Sequence, residues 1–268
     1  MENPSNFEDL LTGEHKKLVN FLEDLHITQN KESIMQAFVR EVQSLQEFSF
    51  LNKNQYFAVF DHIKFLPIYI SDNIVHNFGY TAQDVYKMTL LQGIKKLYWK
   101  QIPSLIMVHA RGQSFRKLSK LSPIKNHEVL FCGIKFKDKW GNFKTLLAKQ
   151  KFLAVDKNGE PTLSFVVAED ITPIHKGDSD WFPIADFSKD IPLIRVYSSM
   201  ANTRNQLLSD RELDILRLII QKMDGVSIAN QLNISAETVK QHRKNMLAKI
   251  GAKDMTGLIH ICRQANVI

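Results

Sequence analysis

The chain has 268 residues, of which 44% are hydrophobic and 24% are charged, a composition typical of a folded protein with room for two domains. No apolar run approaches the roughly 20 residues that a membrane-spanning helix needs, and the acidic N-terminus lacks the basic and apolar regions of a signal peptide. The sequence therefore predicts a cytoplasmic protein without a membrane partner. Its net charge is +7, and the distribution of that charge along the chain is considered below.

The N-terminal region, residues 1–50, carries apolar side chains at helical spacing and predicts two amphipathic helices within residues 7–49. The apolar positions are Leu11, Leu18, Leu22 and Leu25 in the first helix and Ile34, Phe38, Val42 and Leu45 in the second. Such helices pack onto a neighbouring domain or form a contact between two copies of the chain, and the pattern leaves both open.

Residues 51–173 change to a strand pattern and predict an antiparallel sheet domain. Two hairpin turns rich in Gly and Asn, at residues 138–142 and 156–161, separate the last three strands. The predicted elements are strands at Gln55–Asp61 and Pro67–Ser71, short helices, a longer helix at about Gln101–Leu118, and strands at Glu128–Lys137, Phe143–Asp156 and Thr162–Asp170.

Two phrases of this region resemble the PAS family of sensor domains. In IYISDNIVHNFGYTAQDV, the N-x-x-x-x-x-G-Y-x-x-x-D pattern of the family falls on Asn73, Gly79, Tyr80 and Asp84. The closing phrase AEDIT places Asp170 and Thr172 where the family commonly makes a local contact. The resemblance implies a sensor domain that holds a haem, a flavin, a small metabolite or nothing.

No resident cofactor and no metal are expected, and a small molecule of unidentified class is the candidate ligand of the PAS-like domain. Cys132 lies in VLFCG and not in the N-C-R-F-L-Q phrase of flavin-photoadduct domains. His109 is the best candidate for an axial haem ligand, but a lone histidine on a helix is more often packed or solvated. Cys132 and Cys262 fall in different predicted domains, so a framework disulfide is not expected.

Residues 174–205 predict a linker rich in turn-forming residues. Trp181, Phe182, Phe187 and the run Ile194–Val196 make this linker too apolar for a free tether. We expect it to pack on one of the flanking domains, and Leu193–Tyr197 is a candidate strand.

Residues 206–268 carry the start and stop signals of four consecutive helices. Ser209 and Glu212 form a capping box, and Gly251 is the residue expected just after the third helix. Asp224, Ser235 and Asp254 are the further N-cap candidates. Asn233 suits the turn before the third helix because Asn tolerates the left-handed conformation.

This segment resembles the LuxR-type helix-turn-helix, most closely in the phrase ISAETVKQHRKN. The resemblance implies that the third helix enters the major groove of DNA, with Lys240, Gln241 and Lys244 facing bases or nearby phosphates. The full set of expected DNA-binding residues is Ser235, Thr238, Lys240, Gln241, Arg243, Lys244, Asn245 and Lys249. The chain departs from the family where Gly225-Val226-Ser227 replace the usual Asn-Lys-Glu, which weakens the second helix and removes a phosphate contact.

The predicted fold class is therefore α+β: a PAS-like antiparallel sheet domain with flanking N-terminal helices, followed by an all-α four-helix helix-turn-helix domain. The predicted function is a sequence-specific transcription regulator that binds double-stranded DNA as a homodimer, with Leu258 and Ile261 of the fourth helix in the dimer contact. RNA polymerase is a further candidate partner. The alternative is a protein-interaction adaptor whose helix-turn-helix does not read DNA.

An enzyme is not expected, because the chain lacks a P-loop, a G-x-S-x-G phrase and a metal-spaced pair of histidines. His127, Glu128 and Cys132 lie close together in sequence, but the C-x-x-C of a zinc deaminase does not follow them.

Most of the basic excess lies outside the helix-turn-helix. Residues 1–50 hold nine acidic residues against four Lys/Arg, residues 86–151 hold two against fifteen, and residues 206–268 hold six against nine. The basic middle segment is compatible with a solvated sheet surface, with an extended DNA contact, or with attraction of an acidic ligand or of the N-terminal region.

Overall fold

The computed structural model describes residues 54–64, 66–103, 105, 127–155, 161–177, 180–186, 193–197, 207–265 and 267–268. These residues form a sheet domain, within residues 54–197, and a helical domain, residues 207–268. The helices predicted within residues 7–49, most of the helix predicted from Gln101 to Leu118, and His109 lie outside the described residues.

The sheet domain is built on one antiparallel sheet with the strand order β2-β1-β5-β4-β3-β6-β7. The strands are β1 (Gln55–Asp61), β2 (Leu66–Ile70), β3 (His127–Lys137), β4 (Phe143–Val155), β5 (Pro161–Asp170), β6 (Phe182–Asp186) and β7 (Leu193–Tyr197). The first five strands confirm the predicted ones to within one residue at each end.

The segment predicted as a linker contributes two strands to the same sheet. The candidate strand at Leu193–Tyr197 is confirmed as β7, whereas β6 was not predicted. β6 was not predicted because Pro183 lies within its short apolar run, and a proline inside such a run argues against a strand. The sheet therefore extends past residue 173, the predicted end of the sheet domain.

Three short helices follow β2, and the first two of them pack on one side of the sheet, which we call the inner face. They are α1 (Ile74–Phe78), α2 (Ala82–Tyr86) and α3 (Leu90–Ile94), followed by a 3₁₀ turn at Trp99–Gln101. The core between these helices and the sheet consists of Ala58, Ile70, Ile74, Phe78, Tyr80 and Leu146. Because side chains alternate along a strand, Leu147 and its cross-strand partner Cys132 point to the opposite, outer face.

The residues of the PAS-like phrases make local contacts. Gly79 has a φ of 70°, and a Cβ there would lie 2.5 Å from the ring of Trp140, so only glycine fits. The hydroxyl of Tyr80 donates to the carbonyl of Asp138 at 2.9 Å. The predicted contact between Asp170 and Thr172 is confirmed, since the Thr172 backbone N–H donates to Asp170 at 2.9 Å.

The helical domain contains α4 (Asp210–Ile220), α5 (Gly225–Gln231), α6 (Ala236–Ile250) and α7 (Met255–Gln264). An antiparallel sheet domain followed by a four-helix domain confirms the predicted α+β class. Among the described residues, no helix is both long and apolar enough to cross a membrane.

Candidate nucleic-acid interface

Side-chain caps fix the starts of all four helices of the helical domain. The predicted N-caps Ser209, Asp224, Ser235 and Asp254 each accept a hydrogen bond from a backbone N–H in the first turn of their helix. Gly251 ends α6 with a φ of 78°. Each cap is worth about 1 kcal/mol, so the sequence specifies the limits of α6 locally.

The turn between α5 and α6 sets the angle at which α6 leaves the domain. Asn233 adopts the predicted left-handed conformation, with a φ of 53°. Ile228 and Ala229 of α5 are buried. The Arg211 guanidinium donates to the carbonyl of Leu232 at 2.6 Å and ties α4 to the same turn. These contacts fix the turn that leads into α6.

One face of α6 is polar and open to solvent, and the opposite face is buried through Val239, Met246 and Ile250. The exposed residues include Lys240, Gln241, Lys244 and Asn245. Gln241 donates to the side chain of Asn245 at 2.8 Å. Lys240 lies 3.5 Å from Glu237, but both side chains are 78% exposed, so this ion pair is weak and Lys240 can turn to another anion.

The other expected DNA-binding residues lie in different surroundings. Ser235 and Thr238 form the N-cap of α6, with the Ser235 hydroxyl accepting from the Thr238 N–H at 3.0 Å. Arg243 is half-buried, and its Nε is shielded from solvent without a hydrogen-bond partner among the described residues. Lys249 binds Glu212 at 2.6 Å. Lys249 therefore contributes to the folded domain through its ion pair with Glu212, whereas Arg243 is only partly exposed.

Glu212 forms the ion pair with Lys249 and also takes part in the capping box of α4. Its carboxylate accepts from the Ser209 backbone N–H at 2.8 Å and from the Lys249 ammonium, while its side chain is only 3% exposed. Burial raises the pKa of Glu212, but the hydrogen bonds from Lys249 and Ser209 outweigh burial and hold this pKa below its ordinary value. The sequence predicted the capping box of Ser209 and Glu212. It did not predict the ion pair between Glu212 and Lys249, because these residues belong to different helices, α4 and α6.

The C-terminal end of α6 is docked on the sheet domain. The indole N–H of Trp181 donates to the carbonyl of Ile250 at 3.1 Å, and Trp181 is only 1% exposed. The N–H of Lys176 donates to the carbonyl of Gly251 at 2.6 Å, and the N–H of Lys253 donates to that of Ile174 at 2.9 Å. The apolar composition of the predicted linker indicated packing, but not that Trp181 would meet α6.

The fourth helix, α7, packs against the sheet domain as well. Gly257 lies against Ile174, where an added Cβ would be 3.0 Å from the Ile174 carbonyl oxygen. His260 Nε2 lies 2.8 Å from a carboxylate oxygen of Glu169 in β5. This hydrogen bond, opposed by partial burial, raises the pKa of His260 above its ordinary value. The contact is thus strongest below that ordinary value and weakens as the pH rises.

The expectation that Leu258 and Ile261 of α7 form a dimer contact is wrong. Both side chains are 0% exposed and belong to the core within one chain. The sequence showed an apolar stripe on α7 but could not show that α4, α6 and the sheet domain use it internally.

A single apolar cluster joins the two domains. It combines the core of the helical domain with outer-face and neighbouring residues of the sheet domain: Leu130, Cys132, Leu147, Ile171 and Trp181. Cys132 and Cys262 are both free and both 0% exposed within this cluster. Burial raises the pKa of the Cys262 thiol to about 12. Neither thiol is therefore accessible to react as a thiolate in the folded chain.

The arrangement suits the binding of an anion. The polar face of α6 offers ammonium and amide donors, which can meet phosphates and base edges. Within the described ranges, no group of three or more His, Cys, Asp or Glu residues could hold a metal ion.

Known proteins resemble the helical domain. FixJ of Rhizobium meliloti (strain 1021), a transcriptional regulatory protein, is 40% identical over 58 residues, which are 22% of this chain and 28% of FixJ. NarP of Escherichia coli (strain K12), a nitrate/nitrite response regulator, is 43% identical over 47 residues, or 18% of this chain and 22% of NarP. The chain thus spans less than a third of the length of these curated relatives.

Solved structures of VqmA align with most of the chain, but weakly. The Vibrio cholerae VqmA dimer without target DNA is 16% identical and covers 84% of this chain and 87% of that chain, with a TM-score of 0.28. The phage VqmA–DPO complex is 12% identical and covers 87% and 90%, with a TM-score of 0.28. TM-scores this low do not establish a shared fold over the whole chain.

The family match is confined to the helical domain and agrees with its caps, turn and exposed α6 face. Residues 206–262 match the bacterial regulatory proteins of the luxR family. The C-terminal part of this chain is therefore a LuxR-type helix-turn-helix domain of that family.

Proposed function

We propose that the chain is a sequence-specific DNA-binding transcription regulator, with the sheet domain as input and the helical domain as output. The observation that carries this proposal is the capped helix α6, whose Lys240, Gln241 and Lys244 are exposed in a domain of the luxR family. A DNA partner places the protein in the bacterial cytoplasm, where RNA polymerase is available as a further partner. A mobility-shift assay on genomic fragments tests the proposal against an adaptor that binds no DNA.

We expect Lys244→Ala and Gln241→Ala each to weaken binding to a selected operator by about 1–3 kcal/mol, because each removes one base-edge or adjacent phosphate contact. Both side chains are exposed, so thermal stability should change by less than about 0.5 kcal/mol. Fluorescence anisotropy with the operator duplex measures the affinity.

Arg217→Ala is the matched control for these two variants, because Arg217 is an exposed cation on α4 and not on the polar face of α6. Its affinity should equal that of the wild type. Normal operator binding by both α6 variants would show that α6 does not read DNA.

We propose that the protein binds DNA as a homodimer on two-fold-related half-sites, the usual geometry of helix-turn-helix proteins. Since Leu258 and Ile261 are buried within one chain, the contact between the two copies must use other residues. Sedimentation of the protein–operator complex should give two chains per duplex. Protection of a single half-site by one chain contradicts the proposal.

The input function is proposed for the inner face of the sheet domain, in keeping with its PAS-like phrases. Three polar side chains meet there: Gln150 Nε2 donates to Ser164 Oγ at 2.7 Å and lies 3.1 Å from His62 Nε2. The rings of Phe60 and Phe152 lie 5.2 and 5.7 Å from the His62 ring. This polar cluster among aromatic rings suits a small ligand that has both polar and apolar parts. Visible absorbance of the purified protein would identify a coloured cofactor instead.

A further inference from the structure

A short segment after α3 runs along the edge of β3. Leu97 pairs with Phe136, the N–H of Tyr98 donates to the carbonyl of Lys135 at 3.0 Å, and the N–H of Lys137 donates to that of Lys96 at 2.8 Å. These backbone bonds bring a basic segment beside a basic strand. The resulting surface, which we call the basic-aromatic patch, consists of Tyr98, Trp99, Lys100, Lys135, Lys137 and Phe143.

Aromatic rings hold the ammonium groups of the basic-aromatic patch in place. The rings of Tyr98 and Phe143 meet edge to face at 5.3 Å. Lys135 lies 5.4 Å from the centre of the Tyr98 ring, and Lys137 lies 5.2 Å from that of Phe143. Lys100 lies 5.6 Å from the ring of Trp99, which is 69% exposed. Such cation–π contacts order long side chains before any ligand arrives, which lowers the entropy lost on binding.

The patch keeps its positive charge, because Lys100 and Lys137 pair with no carboxylate among the described residues. Asp138, which follows Lys137 directly, is 2% exposed and accepts hydrogen bonds from the backbone of Trp140 and Asn142. Its carboxylate is therefore turned into the β3–β4 hairpin. Lys100 and Lys137 therefore leave two positive charges at the surface of the patch, which fit a polyanion.

A β-bulge places the patch on the same face of the sheet as the helical domain. The register shifts between Cys132 and Ile134, so Cys132 pairs with Leu147 whereas Lys135 pairs with Thr145. If side chains alternated strictly from Cys132, Lys135 and Lys137 would point to the inner face. Gln101 fixes the bulge by donating to the carbonyl of Gly133 at 2.7 Å and accepting from the N–H of Lys135 at 2.8 Å.

The basic-aromatic patch is also close to the helical domain. Leu147 belongs to the apolar cluster that the two domains share, and Phe143 lies four residues earlier on the same face of β4. At a rise of about 3.4 Å per residue, the separation along the strand is roughly 14 Å. The patch therefore lies near the junction of the two domains, on the face of the sheet to which the helical domain is docked.

We infer that the basic-aromatic patch is a second DNA contact, which binds the phosphate backbone flanking the site read by α6. This inference rests on the proposed function. DNA is favoured over an acidic protein because the attached helical domain brings a duplex to this face of the sheet. The contact is independent of base sequence, so it adds affinity and salt dependence but no specificity.

The test compares the full chain with its Lys100→Gln/Lys137→Gln variant on a mixed-sequence duplex over a range of salt concentrations. Each lost phosphate contact makes the plot of log K against log salt less steep by about 0.9, so the double variant should lose about 1.8. The Lys100→Arg/Lys137→Arg variant keeps both charges and should retain the wild-type slope. Thermal melts of the three proteins should coincide.

The matched control is Lys64→Gln/Lys87→Gln, which removes two exposed lysines outside the patch and should leave the slope unchanged. A Lys100/Lys137 double glutamine variant with the wild-type slope and affinity overturns the inference but leaves the proposed function intact. If the wild-type chain binds no duplex at all, the proposed function itself fails. An equal loss of slope in the control variant shows only the effect of net charge and also overturns the inference.

Discussion

Replacing Trp181 with alanine is expected to destabilise the folded chain by about 3–5 kcal/mol, the cost of removing a large ring from a packed core. Trp181 is 1% exposed, lies in the cluster shared by both domains, and donates to the carbonyl of Ile250 at the end of α6. The loss should separate the domains, so that a single thermal transition becomes two. Differential scanning calorimetry of the full chain measures both effects.

Two further variants separate the contributions of Trp181. Trp181→Phe keeps most of the apolar area but removes the hydrogen bond to Ile250, and should cost about 1 kcal/mol more than the lost area alone. Trp99→Ala removes a tryptophan that is 69% exposed and should change stability by under about 0.5 kcal/mol. A Trp181→Ala protein that melts like the wild type would show that the domains do not share a core.

The two cysteines offer a second measurement of domain separation. Cys132 and Cys262 are the chain's two cysteines, one from each domain, and both are 0% exposed at the junction. A thiol reagent should therefore react slowly with the wild type and faster with Trp181→Ala. Equal rates in the folded proteins would contradict the assigned role of Trp181.

The docked junction gives the proposed input and output domains a physical connection. Trp181 holds the end of α6, and Glu169 of β5 holds His260 of α7. The polar face of α6 nevertheless stays exposed. Under the proposed function, a change in the sheet domain acts on DNA binding by moving the helical domain as a body, because the α6 residues proposed to face DNA are already uncovered.

Features specified by neighbouring residues were predictable from the sequence. The caps at Ser209, Asp224, Ser235 and Asp254, the turn at Asn233 and the end of α6 at Gly251 each depend on side chains within a few positions. The first five strands were predicted from the alternation of apolar residues and from hairpin turns, which also depend on neighbouring residues. Exposure of Lys240, Gln241 and Lys244 followed from helical periodicity once α6 was delimited.

Features that depend on distant parts of the chain were not predictable. The hydrogen bond from Trp181 to Ile250 spans 69 positions, and that from Lys249 to Glu212 spans 37. Sequence periodicity does not indicate such long-range pairs. A lysine near the end of α6 was therefore predicted as a DNA-binding residue from its residue type and position alone. The bulge at Gly133 shifts the side-chain alternation of β3, which a strand pattern cannot locate by itself.

Lys249→Met should destabilise the helical domain by about 3 kcal/mol, because removing one partner of a buried ion pair leaves the other charge uncompensated. We take the low end of the usual range because the Lys249 side chain is 33% exposed, although that of Glu212 is only 3% exposed. Urea denaturation measures the loss. If Lys249 instead acts at DNA phosphates, the variant should keep its stability, and its salt dependence of DNA binding should fall by about 0.9.

The pH dependence of this loss identifies the Glu212 carboxylate as its source. The hydrogen bonds from Lys249 and Ser209 outweigh burial and hold the pKa of folded Glu212 below its ordinary value of 4.5. The ionised carboxylate therefore stabilises the wild type above that value, and this stabilisation is lost as the pH falls through the folded-state pKa.

In Lys249→Met the burial that raises the pKa of Glu212 remains, while the ammonium is gone. The stability difference between the two proteins should thus be largest near neutral pH and shrink below about pH 4.5. A difference that stays constant across this range would mean that Lys249 stabilises α6 through the packing of its alkyl chain and not through its charge.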